Sequence, residues 1–134
     1  MLTKPRSYRL GDLQLKIMKI LWDRERATVG EVHEDLGKAD HAYTTVATML
    51  RKMEARQLVR HLTVGRRFIY VAAVHPDAVT QSMADDILDR LFEGSLADMV
   101  SHLLSTRDVS KEELRRLEKV ITQRKGERGV LTPR

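Results

Sequence analysis

The spacing of apolar residues changes once along the first half of the chain, and that change predicts its secondary structure. Between residues 12 and 57, apolar positions recur three and four residues apart, which predicts three short helices with one buried face each. Asp12 is placed to cap the first helix, and Thr28 with Glu31 has the capping-box spacing at the start of the second. The third helix is predicted to end near Gln57.

Two short runs rich in β-branched and aromatic residues follow the third helix. Residues 58–63 and 67–71 predict two strands, and Gly65 between them supplies the positive φ angle that a tight hairpin needs. Three helices followed by a hairpin with arginines near its tip predict a winged helix-turn-helix. In this arrangement the second and third helices form the turn motif, and the hairpin is the wing.

The rest of the chain carries more aliphatic surface than it can bury alone. Pro76 is predicted to begin a new helical segment, and Gly94 and residues 108–110 divide it into three helices. Because about 55 residues cannot enclose that much apolar surface, we expect a two-fold homodimer. The residues expected at the dimer interface are Ile87, Leu88, Leu91, Leu96, Met99, Val100, Leu103, Leu104, Leu114, Leu117, Val120 and Ile121.

The outer face of the third helix has an unusual composition. Its apolar residues share one side, whereas the opposite side carries hydroxyls, a tyrosine and two cations. Threonine loses rotamer freedom in a helix, so several threonines on one exposed face need a reason beyond helix propensity. Small hydroxyls permit close approach to DNA, donate to phosphates and pack their methyls against thymine. The predicted DNA contacts on this helix are Tyr43, Thr44, Thr45 and Thr48, with Arg51 and Lys52 directed to phosphates.

Three arginines outside this helix are further candidates for DNA contact. Arg66 and Arg67 of the hairpin would reach a phosphate or the minor groove in the predicted fold, and Arg9 lies just before the first helix. Simpler roles are the alternatives: Thr45 as a cap only, Tyr43 packed on the first helix, and a hairpin tip that is only solvated.

Charge is distributed unevenly along the chain. The formal net charge is +5, but residues 1–75 hold 14 Lys and Arg against 8 Asp and Glu, whereas residues 76–134 hold 10 against 11. The excess positive charge lies in the half that contains the threonine-rich helix, which favours a polyanionic partner such as double-stranded DNA. The alternative is a basic surface that only keeps the domain soluble.

The predicted fold class is therefore mainly α with a small β-hairpin. We expect a winged helix-turn-helix DNA-binding domain in residues 1–75 and a three-helix dimerisation region in residues 76–124. Residues 125–134 combine glycine, charge and proline, so a flexible tail is expected there.

Several other function classes lack the residues they need. The chain has no cysteine, which excludes disulfides and thiolate metal sites, and its histidines show no metal-ligand spacing. No phosphate loop, nucleophile elbow or acid–base constellation is present, so neither an enzyme nor a bound metal or cofactor is expected. No apolar run is long enough to span a bilayer, and we expect a cytoplasmic protein without membrane insertion.

These motifs together resemble the penicillinase-repressor family of bacterial regulators, the BlaI/MecI type. The resemblance covers residues 8 to about 122. It is carried by LGDLQ at 10–14 and IMKILW at 17–22 in the first helix, YTTV at 43–46 with Thr48 and Leu50 in the third, RRFIY at 66–70 in the wing, and SKEELRRL at 110–117.

The resemblance implies a homodimeric winged-helix repressor that binds palindromic operators, with intertwined C-terminal helices. For antibiotic-responsive members it also implies release by proteolytic cleavage in the C-terminal region, after a membrane sensor protease is triggered. The family is cleaved at an Asn-Phe pair, and the matching positions here are His102 and Leu103, so the candidate cleavage site departs from the family's sequence.

The main alternative is a winged-helix module that binds other proteins and never contacts DNA. The restriction of excess basic charge to one half of the chain favours DNA over this alternative.

Overall fold

Six helices and three short strands make up the described chain. The computed structural model describes residues 8–130, and their side chains as far as Arg128. The order of elements confirms the predicted class, mainly α with a small β-sheet. In chain order they are α1 (Asp12–Arg24), β1 (Ala27–Thr28), α2 (Val29–Leu36), α3 (Tyr43–Ala55), β2 (Val59–Val64), β3 (Arg67–Ala72), α4 (Pro76–Phe92), α5 (Leu96–Thr106) and α6 (Lys111–Val130).

One apolar core joins α1, α2 and α3 to the base of the wing. Ile17, Leu50 and Met53 are completely buried in it. Burying a side chain of this size stabilises the folded state by about 1.5–3 kcal/mol, so α3 is held firmly by one face while its opposite face stays exposed. The buried core comprises Leu10, Ile17, Met18, Leu21, Ala27, Val32, Val46, Leu50, Met53, Leu58, Val59, Tyr70 and Val79.

The predicted hairpin is present as β2 and β3, but the sheet has a third strand that was not predicted from the sequence. β3 pairs antiparallel with β2 on one side and with β1 on the other, giving the order β1-β3-β2. β1 is too short to show an alternating pattern, so nothing in the sequence predicted it. It forms because the second edge of β3 offers partners: Ala27 pairs with Tyr70, and Thr28 with Ile69.

The wing is a hairpin with a two-residue tip. Val64 pairs with Arg67, which leaves Gly65 and Arg66 as the turn. Gly65 adopts φ 64°, the left-handed conformation that a tight hairpin requires and that glycine adopts without steric cost. The tip therefore carries the predicted glycine and an arginine side by side.

The helix ends differ from the predictions in two places. Gly11, not Asp12, is the N-cap of α1, because its extended backbone lets its N–H donate to Gln14 Oε1 at 3.3 Å. α3 ends at Ala55 rather than near Gln57, since Gln57 takes φ 65° and breaks the helical path.

The capping box of α2 is confirmed by two reciprocal hydrogen bonds. The Glu31 backbone N–H donates to Thr28 Oγ1 at 3.1 Å, and the Thr28 N–H donates to Glu31 Oε1 at 2.9 Å. At the other end of α2, Gly37 caps the helix with φ 97°, a positive φ that glycine adopts without steric cost.

The chain divides into two compact units, and the division falls within α4. The N-terminal unit is Met1–Ile87 and the C-terminal unit is Leu88–Arg134, whereas the sequence placed a boundary at residue 75. The start of α4 packs on the N-terminal core, because Val79 is buried there and Ser82 Oγ accepts from the Tyr8 N–H at 2.7 Å. The sequence shows one apolar stripe along the whole of α4, so it could not indicate that the two ends of this helix belong to different units.

The C-terminal unit consists of the end of α4 with α5 and α6. No side chain between residues 88 and 128 is buried. α6 continues to Val130, six residues into the predicted tail, since Arg124 and Glu127 form an i,i+3 ion pair at 3.7 Å across that stretch. Residues 131–134 of the predicted tail lie outside the described residues. No helix within residues 8–130 is long and apolar enough to cross a membrane.

Candidate nucleic-acid interface and assembly surface

The outer face of α3 is exposed as the sequence predicted. Thr44, Thr45 and Thr48 are all exposed, and together with Lys52 they line a shallow pocket of about 250 Å³. Three hydroxyls and one ammonium group therefore lie side by side on one surface, a set that can donate to phosphates and to acceptors on base edges.

The N-terminus of α3 differs from the N-termini of the other helices. Its N-cap is Ala42, and no side chain caps the first turn. α3 also has no acidic residue in its first turn, whereas each of the other five helices has at least one. The partial positive charge of the helix end and its free N–H groups are therefore left for an external anion.

A groove of about 790 Å³ lies between α2, α3 and the wing. It brings together four of the predicted contacts, Tyr43 and Arg51 from α3 with Arg66 and Arg67 from the wing. Two residues of the groove were not predicted from the sequence: Lys38, in the link between α2 and α3, and Phe68 on β3. The available signals were the cation in the link of the turn motif and the aromatic residue next to the wing arginines. The full lining is Thr28, Val29, Gly30, Glu31, His33, Glu34, Lys38, Tyr43, Ala47, Arg51, Arg66, Arg67, Phe68 and Tyr70.

The simpler roles considered for two α3 residues do not match the geometry. Thr45 lies in the third position of the helix and not at its cap, which is Ala42. Tyr43 packs edge-to-face on His33 of α2, with ring centroids 5.8 Å apart at 89°, and not on α1. Half of the Tyr43 surface (51%) remains exposed to the groove side.

Arg9 is not brought together with the other predicted contacts. It lines neither the groove nor the threonine pocket. Its Nη2 lies 3.2 Å from Asp86 Oδ1 on α4, and its carbonyl oxygen accepts from Arg56 at 3.3 Å. Asp86 therefore ties the segment before α1 to α4.

An ion-pair cluster fixes α2 against α1 beneath the groove. Arg24 donates to both carboxylate oxygens of Asp35, at 2.7 and 3.1 Å, and to Glu31 at 3.5 Å. The hydrogen bond from Arg24 lowers the pKa of Asp35. The Thr28 backbone N–H lowers the pKa of Glu31, and Arg24 adds to that effect. Both carboxylates are thus held ionised, and their ion pairs hold α2 against α1.

The C-terminal unit presents an apolar groove instead of a core. The groove has a volume of about 480 Å³ between α5 and α6, and Leu104, Leu117 and Ile121 are among its aliphatic walls. The predicted interface residues are largely uncovered: 71% of Leu91, 64% of Leu96 and 60% of Val120 is exposed. Exposed aliphatic side chains that are grouped in this way are typical of an interaction surface.

The candidate cleavage bond lies inside α5. His102 and Leu103 are both exposed, but they are helical. The His102 carbonyl, which belongs to the bond in question, accepts from Ser105 Oγ at 3.0 Å and from Thr106 Oγ1 at 2.9 Å. A protease that binds an extended peptide can reach this bond only after α5 opens locally.

No metal-ligand cluster of three or more His, Asp or Glu residues exists among the described residues. The described histidines instead have local roles: His33 contacts the His41 carbonyl at 2.7 Å, and His61 contacts Glu54 at 2.8 Å. His102 packs against the ring of Phe92.

Comparison with known proteins finds sequence matches along most of the chain. The sequence profile of a family described as penicillinase repressor matches residues 10–123. The chain is similar to a penicillinase repressor of Bacillus licheniformis, at 26% identity over 117 residues, covering 87% of this chain and 91% of that protein. It is also similar to the transcriptional regulator BlaI of Mycobacterium tuberculosis, at 37% identity over 100 residues and 72% of each chain.

Among solved structures, the DNA-binding domain of the repressor BlaI aligns at TM-score 0.48 and 24% identity, over 56% of this chain and 93% of that one.

Proposed function

Because the chain belongs to the penicillinase repressor family of transcriptional repressors, we propose that it binds a palindromic operator as a homodimer. Each copy would place α3 in a major groove, and the two copies of α3 would lie about 34 Å apart, one turn of B-DNA. Operator DNA is in the cytoplasm, so the protein would act there.

The observation that carries the proposal is the combined surface of α3 and the wing. Hydroxyls and cations cover the outer face of α3, its N-terminus lacks both a side-chain cap and an acid, and the groove beside it holds Arg51, Arg66 and Arg67. One surface thus offers small donors for base edges and guanidinium groups for a phosphate backbone, which are the two classes of contact a DNA reader needs.

The proposed contacts divide by position. Thr44, Thr45 and Thr48 face base edges and thymine methyls, while Arg51 and Lys52 bind phosphates along the DNA major groove. Tyr43 contacts a phosphate near the helix N-terminus. The wing arginines, Arg66 and Arg67, reach the next stretch of backbone or the minor groove. Arg9 would contact a phosphate only by exchanging its ion pair with Asp86.

The dimer is supported by the unfinished packing of the C-terminal unit. None of its described side chains is buried, yet Leu104, Leu117 and Ile121 form an apolar groove. A helix of a second copy fits such a groove, and in a two-fold dimer each copy covers the other. The interface would use the residues named from the sequence, from Ile87 to Ile121.

Release of the operator by cleavage between His102 and Leu103 is the regulatory part of the proposal, with a membrane sensor protease as the partner. A cut within α5 would separate α6 from the rest of the chain and destroy the proposed interface. The test is the mass of the protein recovered from host cells before and after exposure to a β-lactam. A fragment ending at His102 is expected after exposure, whereas an intact chain in derepressed cells would contradict this release step.

The DNA-binding proposal can be tested with a random-sequence library of duplexes. The full-length protein is used to select duplexes from the library, and the retained duplexes are sequenced. We expect an inverted repeat with half-sites about one helical turn apart. Failure to enrich any sequence would favour the protein-interaction alternative, and enrichment of a single unrepeated half-site would contradict the dimer.

A further inference from the structure

One carboxylate on α3 accepts hydrogen bonds from both the backbone and the side chain of a wing residue. The His61 backbone N–H donates to Glu54 Oε2 at 3.3 Å. The ring Nδ1 of His61 lies 2.8 Å from each Glu54 oxygen. An ionised carboxylate only accepts hydrogen bonds, so Nδ1 carries the proton and donates. We name this pair the Glu54–His61 clasp.

The clasp connects the last part of α3 to the inner face of the wing. His61 on β2 pairs in register with Tyr70 on β3, and its ring stacks on Phe68 with centroids 4.1 Å apart at 18°. Tyr70 is buried in the core. Glu54 therefore holds an aromatic cluster that includes both strands of the hairpin, and not only the edge of one strand.

Beyond His61 the hairpin has little support from packing. Leu62, Val64 and Phe68 are about half exposed, at 51%, 55% and 47%. The tip, Gly65–Arg66, lies four residues beyond His61, a span of about 13 Å along a strand. A small change of angle at the clasp therefore moves the tip arginine by a large distance.

We propose that Glu54 and His61 are positioning residues that set the wing at a fixed angle to α3. The inference rests on the DNA-binding function proposed above. With the wing held in the free protein, Arg66 and Arg67 meet the DNA together with Arg51, and little order remains to be imposed on binding. Without the clasp, the wing must be ordered by the DNA itself, and its phosphate contacts weaken.

The sign of the effect separates this role from simple electrostatics. Glu54 is an anion beside a surface proposed to bind a polyanion, so charge alone predicts tighter DNA binding when it is removed. The clasp predicts weaker binding. The matched control is Glu34→Ala, which removes a groove-lining carboxylate that forms an ion pair with Lys38 of the link at 3.8 Å.

The experiment is a double-mutant cycle measured by fluorescence anisotropy, using the duplex selected from the random library at fixed salt. Glu54→Ala and Arg66→Ala should each weaken binding about 5–20-fold, and the double variant should be no more than about 2-fold weaker than the weaker single. In the double variant Glu54→Ala with Lys52→Ala, the two losses of affinity should multiply. Lys52 contacts DNA from α3, so its contribution does not depend on the position of the wing. Glu54→Gln, which keeps an acceptor for both donors, should restore most of the affinity.

Two further readouts exclude a general loss of stability. The salt slope of Glu54→Ala should fall by about one to two, as expected for lost wing phosphate contacts, whereas mere destabilisation leaves the slope unchanged. In the DNA-free protein, NMR relaxation should show a more mobile Gly65 amide in Glu54→Ala than in Glu34→Ala.

The outcomes are distinguishable from those of the DNA-binding proposal. If the unaltered protein binds no duplex, both proposals fall. If it binds, but Glu54→Ala binds equally or more tightly, or its loss multiplies with that of Arg66→Ala, the clasp is overturned and DNA binding stands.

Discussion

Both units of the chain are rich in aliphatic residues, but the first unit buries many of them and the second leaves them exposed. In the N-terminal unit the apolar faces of helices and strands converge on thirteen buried residues, whereas between residues 88 and 128 no side chain is buried. Within the N-terminal unit, the excess of positive charge lies in the first 75 residues. The difference indicates that the N-terminal unit is stabilised by its own core, whereas the C-terminal unit has none among its described residues. In the proposed function, the first unit presents a surface to DNA and the second is completed by a second copy.

The largest expected effect comes from testing that contrast with one substitution in each unit. Leu50→Ala removes a side chain that is 0% exposed, and should lower the free energy of unfolding by about 2–5 kcal/mol. Leu96→Ala removes one that is 64% exposed, so it should change unfolding only where dimers are populated. Denaturant unfolding at several protein concentrations measures both. If both variants lost the same free energy of unfolding at every protein concentration, the two units would not differ in what stabilises them.

A charged residue in the C-terminal groove should next break assembly without unfolding the winged helix. Leu117→Asp places a carboxylate in the aliphatic wall, and we expect the dimer dissociation constant to rise at least about 100-fold, near 3 kcal/mol. Light scattering should give twice the chain mass of 15.4 kDa for the unaltered protein and close to the single mass for the variant. Lys119→Asp, an exposed change on α6 outside that groove, is the control. A monomeric unaltered protein at micromolar concentration would contradict the dimer.

In the N-terminal unit, loss of one groove arginine should weaken DNA binding moderately. Arg51→Ala or Arg66→Ala should each cost about 10-fold in affinity at fixed salt and reduce the salt slope by about one. The selected duplex serves as the probe, and Arg26→Ala, an exposed arginine outside the groove, serves as the control. Unchanged affinity for both groove variants would show that the assignment of contacts is wrong.

The smallest expected effect is a loss of stability in acid that belongs to the N-terminal unit. The pKa values of Glu31 and Asp35 lie below their ordinary values of 4.5 and 3.8. The unfolded chain therefore binds protons first as pH falls, so their contribution is complete above about pH 4.5 and is lost below that. Both groups are partly exposed, so the effect is small. Asp35→Asn should lower Tm at pH 7 more than at pH 3, whereas the exposed Asp85→Asn should show no such difference.

The parts of the fold that local spacing determines were predictable. Apolar periodicity predicted α1 to α3, Gly65 predicted the wing turn, and Thr28 with Glu31 predicted a cap, since each involves residues close in sequence. β1 was missed because two residues carry no period, and it exists only through pairing with Tyr70 and Ile69 of β3.

The candidate site was predictable only as a set of residue types. The threonine and arginine positions followed from composition on one helix face. Their division into a threonine pocket and an arginine groove depends on how the wing meets α3. The Glu54–His61 clasp gave no sequence signal, because a glutamate seven residues before a histidine is unremarkable until a helix end and a strand bring them to 2.8 Å.

We infer that the C-terminal unit is complete only in a dimer, which then delivers two copies of α3 to one operator. Native mass spectrometry of the protein with the selected duplex tests it most directly, with a half-site duplex as the comparison. We expect two chains per full duplex, no stable one-chain complex, and weak binding to the half-site. One chain per full duplex, with equal affinity for the half-site, would contradict it.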